Sequence, residues 1–407
     1  MDRHFTTLLN ELLGLFPCVA LIGARQSGKT TTLQQLPGDW QVYDLEKISD
    51  YQLIARDPEL FFRLNPERIA LDEAQLLPPI FSALRVAIDA HRDQPGRFII
   101  TGSSSPELLS AISESLAGRV ALIEVAPFSV AEAHAQPLSS LYSLIQSQTL
   151  RQNFLVLTTG KIHLQQQHSY WLQGGYPEPW LKTNARFHKL WMQNYVKTYL
   201  ERDITRLFPN LSRDKYGLFL HMLAQLSGTL INYSDVARAL GVSSPTVRDY
   251  FKIAHGTFIW RHIPPYEKNA QKRIIKHPKG YLRDSGLLHY FLHLHDLKDL
   301  LTHPMMGHSW EVMVIENLIR GLNALGVAFD YYHYRTSGGA KLDLILEGEF
   351  GVLPVEIKYT QNFSKRGLQN MNQFIEHYGC AYGLVISHHE RVMLLDEKII
   401  HIPFGCL

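Results

Sequence analysis

The distribution of apolar and polar positions divides the chain into three differently built regions. The first opens with apolar side chains at helical spacing, which predicts a short amphipathic helix over residues 1–15. Short apolar runs with polar or glycine boundaries then predict strands at 18–22, 41–45, 68–72, 97–100 and 120–125. The first region is therefore predicted to be built on several strands.

The middle region is predicted to be mostly helical over residues 128–210. Its second part carries the pattern of a helix-turn-helix followed by a strand, as in a winged helix, at 216–227, 232–240, 241–243, 244–252 and 258–263. Ser234 and Ser243 are favourable N-cap residues, and Pro245 suits the first turn of a helix.

The pattern changes again at Gly307, where apolar positions at helical spacing predict a long helix. Three strands are predicted after it, at 329–334, 342–346 and 353–358. The last region is therefore predicted to combine helix and sheet.

The chain has 407 residues, too many for one compact core, so about two to four domains are expected. The four segments that we predict are 1–127, 128–212, 213–267 and 268–407. Hydrophobic residues make up 45% and charged residues 19%, which is ordinary for a globular protein. The net charge of +2 neither favours nor excludes a nucleic-acid partner.

Cysteine usage and hydropathy indicate the compartment. Three cysteines, far apart and odd in number, argue against a disulfide framework and for a reducing environment. The start of the sequence shows no signal peptide, and no apolar run is long enough for a membrane span. The histidines lack the partners of a zinc site. These features predict a cytoplasmic protein with no membrane contact.

The run ALIGARQSGKT at residues 20–30 contains the phosphate-loop pattern G-x-x-x-x-G-K-[ST] after a predicted strand. Its two glycines allow a tight turn, so that successive N–H groups point at one anion. Lys29 supplies a mobile charge for the terminal phosphates, and the hydroxyl of Thr30 suits Mg²⁺. The predicted nucleotide-binding residues here are Gly23, Ala24, Arg25, Gln26, Ser27, Gly28, Lys29, Thr30 and Thr31.

A second strand end supplies acidic chemistry. Apolar residues lead into Asp72 and Glu73, so Asp72 is predicted to hold Mg²⁺ and Glu73 to activate the attacking water. Thr101 or Ser103, at the end of a third strand, is predicted to touch the γ-phosphate or orient that water; a plain Gly-Ser turn is the alternative. Arg119 is predicted either as an electrostatic finger, in its own subunit or a neighbour's, or as an ordinary helix-terminal arginine.

Four blocks carry a family resemblance: GARQSGKT, LDEAQ, FIITGSSS and ESLAGR, all within the first 130 residues. They resemble the predicted bacterial and archaeal AAA-type ATPases that have a characteristic C-terminal domain of unknown function. This resemblance implies an α/β fold with a parallel sheet flanked by helices, and ATP bound at the carboxyl ends of the strands.

The charge of the helix-turn-helix is weak evidence for DNA binding, because residues 235–254 carry three basic and two acidic side chains. A winged helix that serves only as a lid or a protein-docking module is an equal alternative. The stretch 261–290 is more basic, with seven basic and two acidic residues, and is the better candidate for a phosphate track. It includes Lys272, Arg273, Lys276 and Lys279.

The last region resembles the restriction-endonuclease-like fold, on an Asp in one strand and Glu-x-Lys in the next. Strand alternation puts Glu356 and Lys358 on one face, with Asp343 on the neighbouring strand. The resemblance implies a divalent metal shared by Asp343 and Glu356, with Lys358 at the attacked phosphate. Glu311 resembles the fourth acidic position, and Glu316 is its alternative.

These features lead to a hypothesis for function: an ATP-driven switch whose nucleotide state gates contact with nucleic acid, or metal-dependent cleavage, by the C-terminal half. The competing hypothesis is a protein-interaction switch with a catalytically inactive nuclease-like domain. A small-molecule kinase is a weaker third reading. ATP and Mg²⁺ are the expected cofactors, with a second divalent metal in the C-terminal domain as a further candidate. The candidate macromolecular partners are DNA, another protein or a second copy of the chain.

Overall fold

The computed structural model describes residues 3–103, 112, 114–157, 161–204, 208, 211–267, 277–336, 339–360 and 365–407. The chain divides into two compact units. The first, here called the N-terminal unit, comprises Phe5–Pro127 and Gly256–Phe258. The second, the C-terminal unit, comprises Met1–His4, Phe128–His255 and Ile259–Leu407. Within the described residues, no helix has the length and apolar character needed to cross a membrane.

A five-stranded parallel sheet forms the centre of the N-terminal unit, in the order β2-β3-β4-β1-β5. All five strands that the sequence predicts in this region are present. Their bounds are β1 Cys18–Gly23, β2 Gln41–Asp44, β3 Ile69–Asp72, β4 Phe98–Ser103 and β5 Val120–Glu124.

Helices cover both faces of this sheet. Successive residues of a strand point to opposite faces, so Ala20 and Ile22 lie in one apolar cluster while Val19 and Leu21 lie in another. This two-sided burial explains why the inner strands β1, β3 and β4 are rich in apolar residues on both faces, whereas the edge strands β2 and β5 are partly exposed. The helices are α1 Thr6–Leu15, α2 Lys29–Gln34, α3 Ile48–Ala55, α4 Pro58–Leu64 and α5 Pro79–Asp89.

The C-terminal unit begins with a helical stretch, as predicted. Its helices are α6 Val130–Ala133, α7 Ser140–Gln146, α8 Leu150–Asn153, α9 Leu164–Gln173, α10 Pro177–Leu181 and α11 Ala185–Thr198. A π-helical turn at Tyr199–Ile204 follows α11.

Three helices and a three-stranded antiparallel sheet come next. Their bounds are α12 Arg213–Leu226, β6 Thr229–Leu230, α13 Tyr233–Leu240, α14 Ser244–Gly256, β7 Trp260–Ile263 and β8 Lys279–Leu282. The strands lie in the order β6-β8-β7, so the middle strand comes from sequence beyond residue 267, where we expected a boundary. The sequence pattern gave no sign of β8.

The caps of the two short helices differ from expectation at one position. Asn232, not Ser234, caps α13, because its Oδ1 accepts a hydrogen bond from the Ser234 N–H at 3.0 Å. Asn is as good an N-cap as Ser, so the helix begins earlier than predicted. Ser243 does cap the following helix, since its Oγ accepts from the Thr246 N–H at 3.3 Å.

The rest of the unit surrounds a six-stranded mixed sheet in the order β13-β14-β12-β11-β10-β9. The predicted long helix and three strands are present, and β12 to β14 extend the sheet beyond the prediction. The bounds are α15 Ser285–Phe291, α16 Leu297–Thr302, α17 Met306–Ala324, β9 Phe329–Arg335, β10 Lys341–Gly348, β11 Gly351–Ile357, α18 Lys365–Tyr378, β12 Gly383–Ser387, β13 Met393–Asp396 and β14 Ile399–Pro403.

Helix α17 is buried along almost its whole length and packs against helix α9. The ring centroids of Trp171 on α9 and Trp310 on α17 lie 5.1 Å apart in an edge-to-face arrangement. Trp171 Nε1 also donates to Ser309 Oγ at 2.9 Å, so the buried indole has a polar partner. The helical stretch and the last domain therefore share one core.

A buried carboxylate on α17 collects three arginines. Glu316 Oε1 lies 2.5 Å from Arg261 Nε, and its Oε2 lies 3.3 Å from Arg283 Nη2 and 3.6 Å from Arg320 Nε. Burial raises the pKa of Glu316, but the charges of Arg261, Arg283 and Arg320 outweigh it and hold that pKa well below its usual range. The carboxylate therefore stays ionised throughout the neutral range.

Replacing this carboxylate is expected to destabilise the protein in a pH-dependent way. Glu316→Gln leaves three buried arginines without a counter-ion, which costs about 3–5 kcal/mol in the free energy of unfolding at pH 7. Because the folded-state pKa is lowered, the wild-type advantage is complete above the unfolded pKa of about 4.3 and shrinks as the pH falls below it. Urea unfolding at pH 7 and pH 3.5 measures both effects.

Glu178→Gln is the matched control, because Glu178 also faces a basic residue one helical turn on but is 45% exposed. We expect that control to change the free energy of unfolding by less than about 1 kcal/mol. An equal loss for Glu316→Gln at the two pH values would contradict the electrostatic explanation.

Candidate functional site

The phosphate-loop motif forms the connection between β1 and α2. A Cβ on Gly23 would lie 2.1 Å from the carbonyl oxygen of Val125, so no other residue fits there without moving the backbone. Gly28 has a φ of 102°, in the left-handed region that favours glycine. Both glycines of the motif are therefore required by the backbone, for two different reasons.

Lys29 is buried at the start of α2, with 5% of its surface exposed. Its Nζ donates to the carbonyl oxygens of Gly23 at 3.0 Å and Ala24 at 2.8 Å. Burial lowers the pKa of Lys29, and the charges of Glu73 and Asp72 oppose that shift. The ammonium therefore lies inside the loop and within the electrostatic reach of both acidic residues.

The other predicted loop residues differ in their burial. Ser27 is buried, and its Oγ donates to the Ala24 carbonyl at 2.8 Å. Gln26 is exposed and has a φ of 61°. Thr30 and Thr31 are exposed on the first turn of α2, and Arg25 is half-buried. The hydroxyl of Thr30 thus remains accessible to a hard cation.

The acidic pair lies at the carboxyl end of β3, two strands from β1. Asp72 is buried, and the Oγ1 of Thr101 on β4 donates a hydrogen bond to its Oδ1. The same Thr101 oxygen accepts from the Glu73 N–H at 3.3 Å. Glu73 has a φ of 55°, and Gln75 Nε2 donates to its Oε2. Thr101 therefore links both acidic residues from β4, the strand that lies between β3 and β1.

Ser103 is the Cα partner of Gly23 at the end of β4, directly beside the phosphate loop. Its side chain lies outside what the structure describes. The predicted contact of Ser103 with phosphate therefore stays a prediction.

Arg119 lies just before the edge strand β5, on the side of the sheet where the parallel strands begin. It precedes β5, whose first residue pairs with Cys18, whereas the loop begins at Gly23 at the far end of β1. At about 3.3 Å per residue, these two ends of β1 are about 17 Å apart. The Nε of Arg119 lies 2.7 Å from Asp89 Oδ1. The structure thus does not bring Arg119 to the nucleotide loop of its own chain, and contact with a neighbouring subunit stays a prediction.

The C-terminal unit brings the predicted acidic residues together as a carboxylate cluster, which we define as Glu311, Asp343 and Glu356. Glu356 Oε1 lies 2.5 Å from Lys358 Nζ, and Asp343 Oδ2 lies 3.5 Å from the same nitrogen. Asp343 Oδ2 also accepts from the Ile357 N–H at 2.9 Å. The predicted Asp and Glu-x-Lys residues therefore meet.

Glu311 on α17 completes the carboxylate cluster, and its Oε1 accepts a hydrogen bond from Nζ of Lys279 on β8. Both side chains are buried, with about a tenth of each exposed. Glu316, the alternative fourth acid, belongs instead to the arginine cluster described above. Sequence reasoning missed the pairing of Lys279, because it joins residues of two elements that no local pattern connects.

Burial and mutual repulsion set the protonation of the carboxylate cluster. Burial raises the pKa of Glu311, with Lys279 opposing the shift, and burial and the charge of Asp343 raise the pKa of Glu356. For Asp343, the charges of Lys358 and Lys279 outweigh burial, so that its pKa is lowered.

The fit of a divalent metal here is incomplete. Carboxylate oxygens are suitable ligands for Mg²⁺ or Mn²⁺, and the buried Glu356 Oε2 accepts no hydrogen bond from any described residue. However, no three His, Cys, Asp or Glu residues among those described are grouped closely enough to hold a metal ion. In this arrangement the carboxylate cluster is neutralised by lysines.

The basic stretch 261–290 does not form the continuous track that we predicted. Arg261 and Arg283 are buried around Glu316, and Lys279 is buried against Glu311. Lys272, Arg273 and Lys276 lie outside the described residues. Three of the basic residues thus serve internal ion pairs, since each has a buried carboxylate nearby.

Comparison with known proteins identifies the family to which this chain belongs. Three family models match consecutive stretches: an AAA domain at 16–134, a domain of unknown function (DUF8612) at 164–298 and a domain of unknown function (DUF4143) at 306–407. Two proteins described as uncharacterized, Rv2008c of Mycobacterium tuberculosis and Mb2031c of Mycobacterium bovis, are each 33% identical over 404 residues, covering 98% of this chain and 83% of each relative. The chain belongs to the family of AAA-type ATPases with a C-terminal DUF4143 domain.

Membership of this family supports ATP binding by the N-terminal unit and, at the general level, ATPase activity. Among solved structures, the Walker-type ATPase PABY2304 of Pyrococcus abyssi is similar with a TM-score of 0.43 and 15% identity, over 71% of this chain and 95% of that one. The DUF4143 match begins at the first residue of α17 and contains the whole carboxylate cluster. Lys279 lies in the DUF8612 match.

The Thr101 link between the acidic residues is testable in this AAA-type ATPase. Thr101→Val keeps the shape of the side chain but removes the hydroxyl that contacts Asp72 and Glu73. We expect steady-state ATP turnover to fall roughly tenfold or more, because the acid pair loses its alignment. Nucleotide affinity, measured by calorimetry, is expected to change little.

Thr101→Ser is the control, because it retains the hydroxyl and should retain most of the turnover. Wild-type turnover in Thr101→Val would show that the hydroxyl does not organise the acid pair.

Proposed function

We propose that this chain is an ATP-hydrolysing switch that uses the phosphate loop and the Asp72–Glu73 pair. The observation that carries the proposal is the hydrogen-bond link through Thr101, which holds both acidic residues at the carboxyl edge of the sheet, where the phosphate loop also begins. Ligands of open parallel sheets bind at this edge.

Each residue has a role that its position supports. Lys29 binds the terminal phosphates by exchanging its loop carbonyl partners for phosphate oxygens. Thr30 and Asp72 offer the hard oxygen ligands that suit Mg²⁺, which supplies charge neutralisation on the phosphates when bound. Glu73, held by its N–H to Thr101 and by Gln75, accepts the proton of the attacking water.

Glu73→Gln tests the hydrolytic step. The amide keeps the shape of the side chain but cannot act as a base, so we expect ATP turnover to fall by roughly 10²–10⁴-fold while ATP binding remains. Turnover and equilibrium binding are measured on the same preparation. Glu59→Gln, at an exposed position on α4, is the control and should leave both unchanged. Undiminished turnover in Glu73→Gln would remove Glu73 from the mechanism.

We propose further that the nucleotide state gates contact between the C-terminal unit and nucleic acid. The order of three helices and three antiparallel strands supports a winged helix, in which α14 is the helix that enters the major groove of DNA. Its Arg248 and Lys252 are exposed, while Val247, Tyr250 and Phe251 face the core. Both cations are therefore available to phosphate groups.

A second candidate function is supported by the charges of the C-terminal unit. Lys252 lies 3.3 Å from Asp249 on the same helix, and Arg238 lies 3.4 Å from Asp235. Lys279 and Lys358 contact carboxylates of the carboxylate cluster. These pairings suit a protein-interaction switch with an inactive nuclease-like domain, in which ATP sets the docking state of a protein partner.

The dependence of DNA affinity on salt separates the two functions. A winged helix that contacts phosphates should bind duplex DNA with an affinity that falls steeply as salt rises. Arg248→Ala should weaken binding and reduce the slope of log affinity against log salt by about 1. Fluorescence anisotropy between low and moderate salt, with and without ATP, measures this.

Leu218→Ala, an exposed apolar position on α12, is the control for a change that removes no charge. Absence of any salt-dependent affinity would reject the nucleic-acid function and favour the docking switch.

A further inference from the structure

We propose that Lys279 is a built-in cation that keeps divalent metal ions out of the carboxylate cluster of Glu311, Asp343 and Glu356. Its Nζ donates to Glu311 Oε1 from a strand that belongs to neither the helix nor the sheet of the cluster. The inference concerns regulation of the nuclease-like site and rests on the proposed function, in which that half of the chain meets nucleic acid.

The position of the ammonium group explains the misfit to a metal. Lys279 donates to Glu311 Oε1, and about nine-tenths of each of these two side chains is buried. The ammonium group therefore lies beside the carboxylates and not in solvent. A divalent ion would have to bind beside this positive charge and without the Glu311 oxygen, which Lys279 already engages.

The carboxylate cluster still keeps the means to bind a cation. Glu356 Oε2 is buried and accepts no hydrogen bond from any described residue. Glu356 Oε1 and Asp343 Oδ2 both lie near one lysine, Lys358, whose side chain is 36% exposed and can yield. Removing Lys279 would thus leave three carboxylates with Lys358 and the exposed Lys341, an excess of negative charge that a divalent ion can neutralise.

Strand β8 fixes Lys279 in place. In the antiparallel ladders, Lys279 is the Cα partner of Leu230 on β6 and of Ile263 on β7. At the next residue, a Cβ on Gly280 would lie 2.5 Å from the ring of Trp260, so the strand packs tightly on that indole. A shift of the three-stranded sheet against α17 would therefore draw Lys279 away from Glu311 and couple the helix-turn-helix to metal access.

The test measures Mn²⁺ binding by electron paramagnetic resonance, without nucleotide. Every protein in the test, including the parent, carries Asp72→Asn, which removes the candidate carboxylate ligand of the nucleotide site. We expect the parent protein to bind Mn²⁺ weakly, and Lys279→Met to bind one additional Mn²⁺ at least tenfold more tightly. Adding Asp343→Asn to Lys279→Met should abolish the gain.

Two lysine variants separate charge from shape. Lys279→Arg keeps the positive charge and should retain weak binding, and Lys298→Met, at an exposed position on α16, should behave like the parent. Lys279→Gln provides the same readout if the methionine variant fails to fold, as judged by near-ultraviolet circular dichroism.

Equal Mn²⁺ affinity in the parent, Lys279→Met and Lys279→Gln would overturn the proposal. So would tight binding by Lys279→Arg, because charge would then not be the cause. Neither result depends on ATP turnover or DNA affinity, so failure of this inference is distinguishable from failure of the proposed function.

Discussion

The architecture of the C-terminal unit depends on one buried carboxylate. Glu316 holds arginines from β7, from the residue after β8 and from its own helix. Arg320 in turn donates to the Phe128 carbonyl at 2.9 Å and to the Tyr170 hydroxyl at 3.0 Å. The segments that contain Phe128, Tyr170 and the Arg261–Arg283 pair therefore meet around α17. They meet there because buried charges and their hydrogen-bonding groups require partners.

This constraint explains why the unit does not separate at the ends of the matched family domains. The DUF8612 stretch supplies Arg261, Arg283 and Lys279, whereas the DUF4143 stretch supplies Glu316 and Glu311. Both ion-pair clusters thus cross the same junction. Helix α17 carries one carboxylate to each, and the three-stranded sheet supplies Arg261 to one and Lys279 to the other.

Sequence reasoning succeeded where the determinant is local. The inner strands of the N-terminal unit follow from short apolar runs, and the phosphate loop follows from residue types at fixed spacing. The meeting of Asp343 with Glu356 follows from strand alternation in a hairpin. Sequence reasoning failed where pairing is non-local. Strand β8 is short and pairs with β6, which lies two helices back in the chain, and the basic residues around β8 gave no sign of turning inward. The position of Arg119 could have been inferred, because a residue that precedes a parallel strand lies at the opposite end of the sheet from a loop that follows such a strand.

The contacts of Lys29 have a consequence for ligand selectivity. In the loop as it stands, the ammonium already has two good acceptors, the carbonyl oxygens of Gly23 and Ala24. Both are neutral, so a neutral ligand offers no electrostatic advantage over them, whereas an ionised phosphate forms stronger, charge-assisted hydrogen bonds. A ligand must therefore offer Lys29 stronger hydrogen bonds than the two backbone carbonyls do. Polyanions meet this condition best, so the loop selects ligands by their negative charge.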